Sequence, residues 1–92
     1  MAAEVTTYIY QGCAYGQFEN NRGQMVDFFN IYVTSEFPQY NMKNYHAEGY
    51  KAEKFSCLTG DVLRLGELVQ GDYIRLYFDQ KGRVVLIADA NE

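Results

Sequence analysis

Aromatic and cationic side chains alternate along one apolar segment of this sequence, between residues 72 and 79. One set of alternate positions is Ile74, Leu76 and Phe78. The other set is Tyr73, Arg75, Tyr77 and Asp79. Because successive side chains of a strand point to opposite faces of a sheet, the first set predicts an apolar interior and the second an outer face. Two rings beside a guanidinium can bind a ligand that carries planar groups and phosphates. The rings stack on planar groups, and arginine either stacks as well or pairs with a phosphate.

The segment 25–34 predicts a second strand with the same division. Its interior set is Phe29, Ile31 and Val33, and its outer set includes Phe28 and Tyr32 among polar residues. If both strands share a sheet, the outer rings favour unpaired bases, because stacking is worth about 1–3 kcal/mol per base and a duplex hides its base faces. The alternative is that these rings only stabilise the sheet by cross-strand pairing, or lie buried in a dimer interface.

The middle of the chain adds rings and cations in what we expect to be a long loop, residues 35–49. Tyrosines recur every five residues at Tyr40, Tyr45 and Tyr50, interleaved with Lys43, His46 and Lys51. Loops of this length in a compact domain are usually functional. We therefore predict that Lys43, Tyr45 and Lys51 help to hold a bound strand, although tyrosines that pin the loop to the protein are an equally common arrangement.

The 92 residues predict one all-β domain spanning 1–92, built as a five-stranded barrel of the OB type, with an SH3-like barrel as the competitor. The predicted strands are Val5–Phe18, Met25–Thr34, Tyr50–Cys57, Gly71–Asp79 and Arg83–Asp89. Residues 60–68 predict a short helix or turn before the fourth strand, with Asp61 as its cap and Val62, Leu65 and Leu68 on one side. In the third strand, Lys51 and Glu53 are expected on the wet side.

Composition and motifs argue against several functions. The net charge of −4 and a pI near 4.9 are unlike a general polyanion binder, although residues 37–60 carry three lysines against two glutamates. With one histidine and two distant cysteines, Cys13 and Cys57, we expect no metal, no cofactor and no catalysis. Lacking a leader-like start and any apolar run of membrane-spanning length, the chain is expected in the cytoplasm with both thiols reduced.

Short motifs resemble the small single-stranded DNA-binding proteins of filamentous phages. They are Arg22-Gly23-Gln24 leading into residues 25–33, then Ser35-Glu36-Phe37-Pro38, Gly71-Asp72-Tyr73 and Gly82-Arg83-Val84. The resemblance implies an OB-type dimer that coats single-stranded DNA with hairpin-tip cations and surface rings. It implies binding roles for Arg22 and Phe28.

We therefore expect a non-enzymatic homodimer that binds single-stranded DNA, with RNA as a competing ligand, and that does not enter membranes. The expected binding residues are Arg22, Phe28, Tyr32, Lys43, Tyr45, Lys51, Tyr73, Arg75, Tyr77 and Arg83. The alternative is a protein-interaction module or structural subunit whose interface includes Tyr73 and Tyr77.

Overall fold

The computed structural model describes residues 7–37 and 44–90 of the chain. These stretches contain five strands and a single turn of 3-10 helix, Gly60–Leu63, placed before the fourth strand. The strands are β1 (Thr7–Glu19), β2 (Met25–Glu36), β3 (Tyr50–Ser56), β4 (Tyr73–Phe78) and β5 (Val84–Asp89). The predicted all-β class and strand count are confirmed.

The five strands form one sheet in the order β3-β2-β1-β4-β5, with every neighbouring pair antiparallel. The order β4-β1-β2-β3 is a Greek key, to which β5 adds a hairpin. At one end, Cys57 forms a parallel bridge with Val84, and the Leu58 N–H donates to the Val84 carbonyl over 2.9 Å. Within the described residues β3 and β5 share no ladder beyond this bridge, so the sheet curls toward an OB-type barrel without closing.

A bulge in β1 gives the sheet its bend. Tyr10 stands opposite Val33 and Gly12 opposite Tyr32, so Gln11 is an extra residue between them. A bulge of this kind bends a strand and increases its twist. It separates the start of β1, where Thr7–Ile9 pairs with β4, from the longer part that pairs only with β2. The extra residue lies directly before Gly12.

The core lies on the inner side of the curled sheet. Ile31, Val33, Ile74 and Val84 are fully or almost fully buried, and Leu63 of the 3-10 turn covers them from one end. These residues are β-branched or leucine, which fill such an interior in well-defined rotamers. Their burial fixes the register of β2 and β4, because a one-residue slip would turn each apolar set toward solvent.

Two details of the predicted interior are wrong. The 3-10 turn is capped at Thr59 without a side-chain hydrogen bond, and it ends at Arg64, whose φ of 50° is left-handed. Asp61 is therefore not the cap, and the helical spacing fails because Leu63 is buried while Leu65 is exposed. Phe78, expected in the core, does lie on the inner side, opposite the buried Val84 and with its ring centroid 5.0 Å from that of Phe55, but at the end of β4 it stays 40% exposed.

Candidate nucleic-acid interface

The side of the sheet that points away from the core is the outer face. Residues directly opposite each other on neighbouring antiparallel strands point to the same side. Thr34 stands opposite Ile9, and Ile9 stands opposite Tyr73. Tyr32 and Tyr73 therefore share the outer face, although they lie on strands separated by β1.

Six rings belong to this outer face by register. They are Phe18, Phe28, Tyr32, Tyr50, Tyr73 and Tyr77. All except Phe28 are exposed, from 37% for Tyr77 to 57% for Tyr50. Their exposure leaves ring faces open for contact with another molecule, since a small monomer seldom gathers this many rings on one side.

Phe28 differs from the other rings because residues of the β1–β2 hairpin cover part of the Phe28 side chain. A Cβ built on Gly16, the residue opposite, would lie 3.2 Å from the Phe28 ring. The Phe18 ring lies beside it, with centroids 6.3 Å apart. Phe28 thus packs over the glycine of the neighbouring strand, which is the sheet-stabilising role, and it leaves Phe18 as the more accessible ring at this end.

Two cations lie on the outer face among the rings. Lys54 stands opposite Tyr32, and Arg75 stands opposite Thr7. Among the described residues, neither side chain has a hydrogen-bond or ion-pair partner. An unpaired cation can meet a phosphate without first giving up an existing partner, which makes both suited to a nucleic-acid backbone.

Negative charge is segregated away from this surface. In the described strands, Glu36 at the end of β2 is the one carboxylate on the outer face, whereas Glu19, Asp27 and Glu53 occupy positions on the other side. The outer face thus carries two cations and one anion in a chain whose net charge is −4. The negative net charge of the whole chain therefore does not apply to this surface.

Two of the predicted cations are already engaged in ion pairs. The Lys51 Nζ lies 3.1 Å from Glu53 Oε1. Lys51 stands opposite Ser35, so this ion pair lies on the inner side of the sheet edge. Arg83 places Nε and Nη2 each 2.9 Å from Asp79 Oδ2. We therefore assign Lys51 to the strand edge and Arg83 to the last turn rather than to a ligand.

Asp79 organises that last turn. Its carboxylate also accepts the backbone N–H groups of Lys81 and Arg83, both over 2.9 Å. Hydrogen bonds from the Arg83 backbone are the main reason that the pKa of Asp79 is lowered. The turn between β4 and β5 is thus held by one carboxylate, and Arg83 belongs to its frame.

The remaining predicted residues lie around the rim. Arg22 is exposed in the turn between β1 and β2, where the Asn20 side chain accepts the backbone N–H groups of Arg22 and Gln24 over 2.9 and 3.0 Å. The guanidinium of Arg22 makes no ion pair with a described residue. Tyr45 is exposed in the irregular stretch 44–49. Lys43 lies outside the described residues.

A cleft of about 280 Å³ opens on the outer face where β2 and β3 approach the start of β1 and β4. It is lined by Thr7, Ile9, Ser35, Glu36, Tyr50 and Tyr73. Glu36 and Tyr50 are directly opposite each other, and Arg75 stands opposite Thr7 at the edge. The cleft combines two exposed rings, an apolar floor at Ile9 and one carboxylate.

Sequence reasoning did not select Phe18, Tyr50 and Lys54 as members of this face. For β3 it placed the wrong alternate set toward solvent: Tyr50, Ala52 and Lys54 point outward, and Lys51 and Glu53 point inward at the edge. A short strand without an apolar alternation gives no register signal. Only the pairing with β2 reveals which side each residue takes.

The two thiols belong to the core rather than to this interface. Cys57 is buried, and burial raises the pKa of its thiol to about 11. Burial, with a hydrogen bond to Cys13, raises the pKa of Tyr10 to about 12. Both groups are therefore neutral at physiological pH, and neither is activated as a nucleophile.

Among the residues that the structure describes, no group of three His, Cys, Asp or Glu side chains is arranged to hold a metal ion. The same residues form no helix long and apolar enough to cross a membrane. Comparison of the chain with protein-family models, with curated proteins and with solved structures finds no significant match. The geometry and charge of the outer face are therefore the features that point to a function.

Proposed function

We propose that the protein binds single-stranded DNA with little sequence preference through the outer face of its sheet, and that it is not an enzyme. One observation carries this proposal: five exposed rings share one side of the sheet with two unpaired cations, while in the described strands only Glu36 adds a carboxylate to that side and Glu19, Asp27 and Glu53 occupy the other. Stacking and phosphate contact are the two interactions that bind single strands regardless of sequence.

In this mechanism, bases stack on Tyr32, Tyr73 and Tyr77 while phosphates meet Lys54 and Arg75. Side chains two residues apart on one face of a strand are roughly 7 Å apart, so Tyr73, Arg75 and Tyr77 offer ring, cation and ring in regular succession. A duplex cannot use these rings because its bases are already stacked on one another. The proposed ligand is therefore a single strand, and RNA remains a competitor because stacking does not read the sugar.

The hairpin of β1 and β2 extends this surface. Phe18 and Phe28 lie on its outer side, and Arg22 lies at its tip. This arrangement of tip cation and surface rings is what the resemblance to filamentous-phage proteins implies. We accordingly propose that the protein coats or protects single-stranded DNA of a phage or another mobile element as a homodimer.

A protein-interaction role is the second candidate, and one feature favours it. Leu86 of β5 is 54% exposed directly opposite Tyr77, so this end of the outer face is apolar without a cation between the two side chains. An aromatic and an aliphatic side chain side by side are typical of the core of a protein interface. In that case Tyr73 and Tyr77 would contact a peptide or a second copy of the chain.

A titration separates the candidates. Fluorescence anisotropy of a labelled oligothymidine is measured at low salt against a duplex of equal length, and size is measured by light scattering. We expect saturable binding of the single strand, weaker binding of the duplex, and a loss of roughly 5- to 150-fold in affinity for Tyr32→Ala. Tyr15→Ala is the matched control because Tyr15 is also exposed but stands opposite Phe29 on the other side.

No binding of oligothymidine at low salt, or equal affinity for the duplex, would reject the DNA proposal. A stable oligomer that is disrupted by Tyr77→Ala and is indifferent to DNA would support the protein-interaction role instead.

A further inference from the structure

The cleft beside Glu36 differs from the rest of the outer face because a carboxylate lies among the rings. Elsewhere on this face the described charged residues are Lys54 and Arg75, which suit phosphates. A carboxylate repels phosphate, so Glu36 serves no purpose in contacting the backbone of a nucleic acid. It can only accept hydrogen bonds, so a ligand that binds beside it has to present donors such as N–H groups.

We propose that this cleft is a base-reading position that prefers guanine. This inference rests on the proposed function and adds a preference at one nucleotide to binding that is otherwise independent of sequence. The base lies over Ile9 between the exposed rings of Tyr50 and Tyr73, and its Watson–Crick edge meets the Glu36 carboxylate. Guanine places N1–H and the 2-amino group side by side on that edge. The two donors match the two oxygens of a carboxylate, as in other bidentate pairs.

The other bases fit this carboxylate less well. Adenine and cytosine each offer one amino group beside a ring nitrogen whose lone pair faces the carboxylate. Thymine offers N3–H between two carbonyl oxygens, which are repelled on both sides. Reading a splayed base through its Watson–Crick edge after stacking it on an aromatic ring is the usual mode of single-strand recognition.

Arg75 supplies the neighbouring contact. It stands opposite Thr7, which lines the cleft, and it follows Tyr73 by two residues on the same face. A phosphate attached to the nucleoside in the cleft can therefore meet Arg75 while the base meets Glu36. The cation and the carboxylate read different parts of one nucleotide, so their effects are separable.

The test uses the full chain and three 12-nucleotide probes in a lithium buffer, which discourages guanine quadruplexes. They are oligothymidine, alternating thymidine–guanosine, and alternating thymidine–inosine. Inosine retains N1–H and lacks only the 2-amino group. We expect the guanosine probe to bind about tenfold more tightly than the inosine probe, because one charge-assisted hydrogen bond is lost. Oligothymidine should bind most weakly.

Glu36→Gln should make the guanosine and inosine probes bind within about twofold of each other, while binding of oligothymidine holds or strengthens. Glu67→Gln is the matched control, because it removes one exposed carboxylate outside the outer face, and it should keep the preference for guanosine.

If all three probes bind equally, or if Glu36→Gln keeps the wild-type ratio, the base-reading inference is wrong while the proposed function stands. If no probe binds at low salt, both are rejected.

Discussion

The salt dependence of the DNA affinity should report how many cations of the protein contact phosphates. Arg75 and Lys54 on the outer face and Arg22 at the hairpin tip have no ion-pair partner among the described residues. Each phosphate neutralised on a single strand contributes a slope of about −0.7 to the plot of log affinity against log salt, so three contacts predict about −2. Affinity for oligothymidine should then fall about 20-fold between 50 and 200 mM salt.

Arg75→Gln removes one contact and should change the slope to about −1.4, so the same increase in salt lowers affinity only about sevenfold. The assay is fluorescence anisotropy at five salt concentrations, with circular dichroism to show that each variant is folded. Arg83→Gln is the control cation, because Arg83 is held by Asp79 at 2.9 Å and should leave the slope near −2. An unchanged slope in Arg75→Gln, or an equal change in Arg83→Gln, would refute the assignment.

Three further outcomes test the fold and its protonation. Leu63→Ala should lower the free energy of unfolding by about 2–5 kcal/mol, since Leu63 is 1% exposed, whereas exposed Leu65→Ala should stay within about 0.5 kcal/mol in urea titrations. Burial raises the pKa of the Cys57 thiol from 9.0 to about 11, so its contribution to the free energy of unfolding should be level below pH 9 and fall by roughly 2–3 kcal/mol toward pH 11, where the raised pKa of Tyr10 adds to the loss. A flat profile between pH 9 and 11 in urea titrations would contradict this. Thiol labelling at pH 8 should modify Cys13 before Cys57, since only Cys57 is buried; equal rates would contradict its burial.

The strands with a clear apolar alternation were readable from the sequence. In β4, Ile74 and Leu76 are 0% and 4% exposed, while Tyr73 and Tyr77 face solvent. A period of two is enough to assign such a strand, because burial of one side fixes the other. The same alternation placed Tyr32 outward in β2. The strand count also followed from local residue types.

Long-range pairing decided what the sequence did not reveal. The outward position of Lys54 depends on its pairing with Tyr32 across β2 and β3. The meeting of Glu36, Tyr50 and Tyr73 at one cleft depends on the Greek-key order of the strands, which no local pattern encodes.

Ion pairing was hidden for a related reason. Arg83 looked available as a turn cation, but the turn geometry brings it back to Asp79 four residues earlier. Lys51 likewise meets Glu53 because alternate residues of a strand share a side. The cations left for a ligand could be identified only after these pairs were known.

Photo-crosslinking tests most directly whether bases stack on the outer rings. An oligothymidine that carries 5-iodouracil is irradiated with the protein, and the adducts are located by mass spectrometry. We expect adducts at Tyr32, Tyr73 or Tyr77 and none at Tyr15, which is 59% exposed on the other side of the sheet. Adducts at Tyr15 alone, or none at any outer-face ring despite measurable binding, would contradict it.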